Sequence, residues 1–106
     1  MPIVDTDRLK VIERLPGWRG RFFHSEHMTF VHYAFDAGAA IHEHQHPEEE
    51  VYEILKGEIE ISIEGVTHRA RPGLVAIVPA GVRHGVRALT DGELIVVDHP
   101  ARRELG

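Results

Sequence analysis

Three histidines and a run of carboxylates crowd residues 38–57, GAAIHEHQHPEEEVYEILKG. His44 and His46 are two apart, so on an extended strand both imidazoles leave one face, with Cα atoms roughly 7 Å apart at about 3.3 Å rise per residue. Two such rings can converge on a single ion. Glu50, beyond the bend that Pro47 imposes, can add a carboxylate oxygen from the start of the next strand. Glu49 is the substitute if the register slips by one, and Glu48 and Glu53 read as solvated. The remaining half lies at residues 73–84, GLVAIVPAGVRH, where a buried-looking strand at 74–78 runs into a Pro79-Ala80-Gly81 turn and delivers His84 to the head of another strand. The competing reading is a solvent-facing strand beside a solvated acidic loop.

The elements that must position these groups are short and β-like. Ile59, Ile61 and Ile63 alternate with Glu58, Glu60, Ser62 and Glu64, which defines a half-buried strand. Lys56-Gly57 and Glu64-Gly65 are turn signals on either side, so residues 51–55 and 58–63 are expected to form a hairpin. Residues 28–36 and 93–98 supply further strands, and no segment carries a helical period. Gly, Pro and Asp punctuate the chain at close intervals, which argues for an all-β sandwich or barrel. Alternation then predicts what faces the ion. If Glu50 points inward, so do Tyr52 and Ile54, and Tyr52 can donate a hydrogen bond to a bound anion or oxygen species; the alternative is a core tyrosine bonded to backbone. His42 shares parity with His44 and His46 and is a candidate acid/base or supporting group at the cavity mouth. Of His32 and Tyr33, only one can look inward, accompanied by Phe30 or Phe35. His24, His27, His68 and His99 have no motif context.

The two segments resemble the paired motifs of the cupin superfamily. The first motif, glycine, five residues, His-any-His, three or four residues, Glu, six residues, glycine, is met by Gly38, His44, His46, Glu50 and Gly57. The second, glycine, five residues, Pro-any-Gly, two residues, His, three residues, Asn, is met by Gly73, Pro79, Gly81 and His84, with Ala88 where the asparagine belongs. The resemblance covers roughly residues 28–100 of a single domain spanning 1–106, with 1–20 as an N-terminal extension. It implies a double-stranded β-helix, or jelly roll, and a ligand set of His44, His46, Glu50 and His84 around one divalent transition metal: Fe, Mn, Ni, Co, Cu or Zn. It further implies a metal-dependent enzyme on a small organic substrate, of oxygenase type, with a cupin isomerase or lyase or a non-catalytic metal or small-ligand module as alternatives.

Composition narrows the partners. The 106 residues contain no cysteine, which excludes disulfides and thiolate ligands and leaves nitrogen and oxygen to hold any metal. A net charge of -5 without a Lys/Arg cluster argues against nucleic acid, and Arg102-Arg103 reads as a salt-bridging or solvated pair. No apolar run reaches membrane-spanning length, and the charged residues 1–10 do not form a signal peptide, so a cytoplasmic protein is the expectation. A homodimer is expected too, carried by the extension and by the apolar Trp18-Phe22-Phe23 region, although Trp18 also reads as a core residue.

Overall fold

The alternating pattern produces ten strands and one short 3-10 turn, Thr6–Arg8, among residues 3–105, which the computed structural model describes. Six strands form one antiparallel sheet in the order β1 (Ile12–Leu15), β2 (Trp18–His24), β3 (Thr29–Phe35), β10 (Gly92–His99), β5 (Glu49–Lys56), β8 (Val75–Val78). Four form a second: β4 (Ala40–His44), β9 (His84–Ala88), β6 (Ile59–Ile63), β7 (Val66–Ala70). In β2, β3, β5, β6 and β10 the buried residues fall at alternate positions. Trp18, Phe35, Ile54 and Leu94 from the larger sheet meet Ile59, Ile61 and Val86 from the smaller in one core. Every such buried aliphatic or aromatic chain contributes about 1.5–3 kcal/mol relative to exposure.

Several expectations are corrected. The 51–55/58–63 hairpin does not form: β5 pairs with β10 and β8, whereas β6 pairs with β7 and β9. Lys56-Gly57 does turn, but it carries the chain from one sheet to the other. Gly57 sits at φ +78°, and a Cβ there would collide with the Asp91 carbonyl. The hairpin lies one element later, where Glu64 (φ 54°) and Gly65 (φ 79°) join β6 to β7, a pair of positive φ values that suits the twist of adjoining strands. The strand at 74–78 is an edge, not a buried strand; Val75 and Ile77 are 54% and 58% exposed. The N-terminal extension adds β1 to its own sheet, and Trp18 and Phe22 lie in the core instead of covering a surface. Ala88, in the place of the motif asparagine, is itself tied in by backbone, donating to Ala39 O and accepting from Gly38 N, both at 2.9 Å.

Candidate metal centre

His44 ends β4, His84 opens β9, and the two are cross-strand partners. Between Ile41 and His44 the ladder slips: three steps on β4 run against two on β9. This bulge puts Ile41 and His44 on the same inward side and overturns the parity expected for His42. His42 is exposed and does not line the cavity; its carbonyl accepts a hydrogen bond from His44 Nδ1 at 2.8 Å. His46 lies in the loop after β4, not on the strand, and is nonetheless buried. Gly81 N donates to His46 O at 2.9 Å, so the Pro79-Ala80-Gly81 turn is bonded directly to the first histidine segment. Glu50 points inward from β5 without a register slip, leaving Glu49 exposed.

The four candidates converge. Ring centroids of His44 and His84 are 4.3 Å apart, those of His46 and His84 4.9 Å, and those of His44 and His46 5.5 Å. Ligating atoms of the three histidines all lie within 4.8 Å of one another, an arrangement that can hold a metal ion. Glu50 Oε1 is 3.1 Å from His84 Nε2, and Oε2 is 3.4 Å from His46 Nε2.

The tautomers follow from the backbone. His44 Nδ1 meets His42 O, His46 Nδ1 meets Glu48 O at 3.1 Å, and His84 Nδ1 meets Val82 O at 2.9 Å. A carbonyl only accepts, so each Nδ1 carries a hydrogen, and a ring without a second proton turns its Nε2 lone pair toward the centre. His46 Nε2 is buried without a hydrogen-bond partner. Three lone pairs and a carboxylate facing one another in a buried place repel unless a proton or a cation stands between them. The donor set therefore fits a divalent ion with nitrogen and oxygen preference.

Electrostatics around Glu50 say the same. Burial alone would raise its carboxyl, but contacts with His46 and His84 outweigh that and hold it well below the usual carboxylate range. Asp98, on β10, is the direct cross-strand partner of Glu50 and is also buried. Two carboxylates opposite each other cannot both ionise cheaply. Burial, then the neighbouring Glu50, pushes Asp98 up to about 9. His46, Glu50 and Asp98 form a second grouping with ligand spacing, which shares His46 with the histidine trio. Arg102 Nη1 stands 3.5 Å from Asp98 and 3.7 Å from Glu50, and its Nε stands 3.6 Å from Glu48. Burial depresses His44, whereas the Glu50 carboxylate more than offsets burial at His84 and leaves it raised.

A cavity of about 300 Å³ opens over this centre. Trp18, Val31, Tyr33, Ile41 and Val96 form its apolar wall; His44, Glu50, Tyr52 and Asp98 face into it, and Arg14 and Arg102 line it as well. Tyr33 rather than His32 looks inward, with Phe35 in the core behind it. Tyr52 and Ile54 are inward and buried, as alternation requires. Burial first, and the nearby Glu50 charge second, raises Tyr52 well above its ordinary value and Tyr33 to about 12, so both hydroxyls remain donors.

Sequence reasoning missed Asp98, Arg102 and Glu48 as neighbours of the centre. Asp98 was findable, because Leu94, Val96 and Asp98 share one face of a strand whose other members are core. Arg102 is indeed salt-bridging, to Glu50 and Asp98 at the centre as well as to the exposed Glu104. Glu48, read as solvated, is partly buried beside His46 and Arg102.

The chain belongs to the cupin family: residues 31–100 match the model described as Cupin domain. An uncharacterized protein of Streptomyces coelicolor is 30% identical over 77 residues, which is 73% of each chain. An RmlC-like cupin structure from Shewanella frigidimarina has a TM-score of 0.92 at 24% identity, covering 100% of this chain and 96% of its own. KdgF from Halomonas sp. has a TM-score of 0.92 at 25% identity, covering 100% and 99%.

Proposed function

We propose that His44, His46, Glu50 and His84 hold one divalent transition metal at the floor of a jelly-roll barrel, and that the protein is a metal-dependent enzyme acting on a small organic substrate. The observation that carries this reading is the locking of three Nδ1 atoms onto backbone carbonyls, which leaves three Nε2 lone pairs to face one another, two of them beside the Glu50 carboxylate. A metal bound there supplies Lewis acidity and, where it is redox-active, an electron for oxygenase-type chemistry.

The remaining roles belong to the chain itself. The apolar wall excludes water from a cavity whose volume sits at the low end for ligand sites, which limits the substrate to a small molecule. Tyr52 presents a hydroxyl that stays protonated at neutral pH and can donate to a substrate oxygen. Arg102 offsets the Glu48 and Glu50 charges and Arg14 adds a second cation to the lining, so a metal-loaded cavity attracts an anionic group such as a carboxylate. His42 is exposed and outside the cavity lining, and contributes its carbonyl to His44 Nδ1.

Elemental analysis of the purified or reconstituted protein is expected to find close to one metal per chain, and His46→Ala to lose most of it. If single alanine variants of all four residues keep full occupancy, the assignment is wrong. With metal present, turnover of small carboxylated substrates, followed with and without dioxygen, tests the enzymatic part. A ferrous protein that forms no nitric oxide adduct would count against oxygenase-type chemistry.

A further inference from the structure

Residues 100–105 follow directly on β10 and place two side chains, Arg102 and Leu105, in the cavity lining. Their backbone is fastened without help from the Arg102 side chain. Arg102 N donates to Oγ1 of the buried Thr29 at 2.8 Å, Leu105 N donates to Arg102 O at 3.0 Å, and Arg14 Nη1 donates to Glu104 O at 3.4 Å. Arg103 Nη2 donates to Ser25 O at 2.9 Å and to Glu26 O at 3.1 Å. The Arg102 guanidinium is held differently. It stands 3.5–3.7 Å from Asp98, Glu48, Glu50 and Glu104, and its Nε is buried without a hydrogen-bond partner. A charge-assisted hydrogen bond is shorter, about 2.7–2.9 Å. Both Asp98 oxygens are likewise buried without a hydrogen-bond partner. A guanidinium presents a rigid fork of donors that a planar carboxylate meets in pairs. Arg102 faces four carboxyl groups and grips none of them in that way. Charge, not hydrogen bonding, keeps the side chain where it is.

We propose that Arg102 is a stand-in counter-ion for Glu50 and the receptor for a substrate carboxylate, and that it exchanges the first role for the second when a divalent ion occupies the histidine centre. The inference rests on the metal assignment above. Without the ion, Arg102 supplies Glu50 with positive charge. With a doubly charged ion on Glu50, Arg102 loses that attraction and is repelled at a separation of about 4–6 Å, and the two effects act in the same direction. The side chain can turn further into the cavity, because the bond from its own backbone to Thr29 holds the segment in place. A carboxylate entering the cavity then fills the fork and offsets the added charge. Metal and carboxylate therefore promote each other's binding, equally in both directions. Arg102 lies just outside residues 31–100 that match the family model, so this coupling is carried by a residue beyond the motif-bearing core.

Titration calorimetry of the full chain with zinc, with and without acetate, tests this; acetate is chosen because it binds free zinc weakly. Saturating acetate should tighten zinc binding to wild type by about fivefold or more. Arg102→Gln should bind zinc about tenfold more tightly than wild type in acetate-free buffer, since no cation has to be displaced, and should lose the acetate effect. Arg102→Lys, which keeps the charge without the fork, should stay within about threefold of wild type for zinc and show a smaller acetate effect. Arg69→Gln, at an exposed arginine paired with Glu58, should match wild type in both and controls for net charge. Should Arg102→Gln not fold without metal, wild type and Arg102→Lys still decide the matter through the acetate effect. Weaker zinc binding in Arg102→Gln would make Arg102 a brace for Glu50 and overturn the exchange. An acetate effect that survives Arg102→Gln, through direct ligation of the ion or through Arg14, overturns the receptor role. A wild type that binds no zinc overturns the metal reading and this inference together, whereas equal zinc affinities in wild type and Arg102→Gln overturn this inference alone.

Discussion

Lowering the pH should weaken metal binding by about one decade per unit, through one identifiable proton. In the metal-free protein His84 Nδ1 is bonded to the Val82 carbonyl, so the 3.1 Å contact between His84 Nε2 and Glu50 Oε1 is a good one only when Nε2 is protonated too. The Glu50 carboxylate outweighs burial and raises His84 above its ordinary 6.5, whereas burial lowers His44. A metal must displace the His84 proton. One proton released per ion means a tenfold change in affinity, about 1.4 kcal/mol, for each pH unit below the raised His84 value. The stability trends are therefore opposed. A raised group stabilises the metal-free protein fully below 6.5 and loses that contribution as pH climbs through its folded value; the metal-loaded protein gains over the same interval. Titration calorimetry with zinc in buffers of different ionisation enthalpy between pH 5.5 and 7.5 reads the proton directly, and thermal melts with and without metal read the diverging Tm. A proton count near zero at pH 6, or a metal-induced Tm shift that does not grow with pH, would refute the reasoning.

Asp98→Asn should raise the Tm of the metal-free protein at pH 8 by the equivalent of at least about 1 kcal/mol, because a carboxyl held at about 9 when folded and 3.8 when free is stabilising below 3.8 and loses that contribution as pH rises toward 9. Melts of the two proteins should converge toward pH 4; a less stable variant at pH 8 would contradict the assignment. Gly57→Ala should cost about 2–4 kcal/mol in urea unfolding, since a side chain there meets both a left-handed φ and the Asp91 carbonyl. Trp18→Ala should cost about 3–5 kcal/mol without changing the oligomeric state, because Trp18 is a core residue at 1% exposure.

What could be read from the sequence was whatever depends on spacing along one strand. The inward set Glu50, Tyr52 and Ile54 and the buried Ile59 and Ile61 followed from a period of two, and the glycine, proline and histidine spacings of two motifs brought His84 to the same centre as His44 and His46. What could not be read was whatever depends on pairing between strands. The bulge that turns His42 away is a mismatch between three residues of β4 and two of β9, invisible in either strand alone. The false hairpin at Gly57 has the same origin, for a glycine turn specifies a change of direction and not which sheet the next strand joins. Asp98 gains its importance solely by standing opposite Glu50, residues 48 apart in the chain. The row Phe23, Phe30, Val97, Val51 and Ile77 on the outer face of the larger sheet is equally a product of register: five residues on five strands, each unremarkable in its own segment, become one apolar band only when the ladders are assembled. The alternation that sends Glu50, Tyr52 and Asp98 to the inner face of the sheet, where the candidate metal centre lies, also sends Val51, Glu53 and Val97 out.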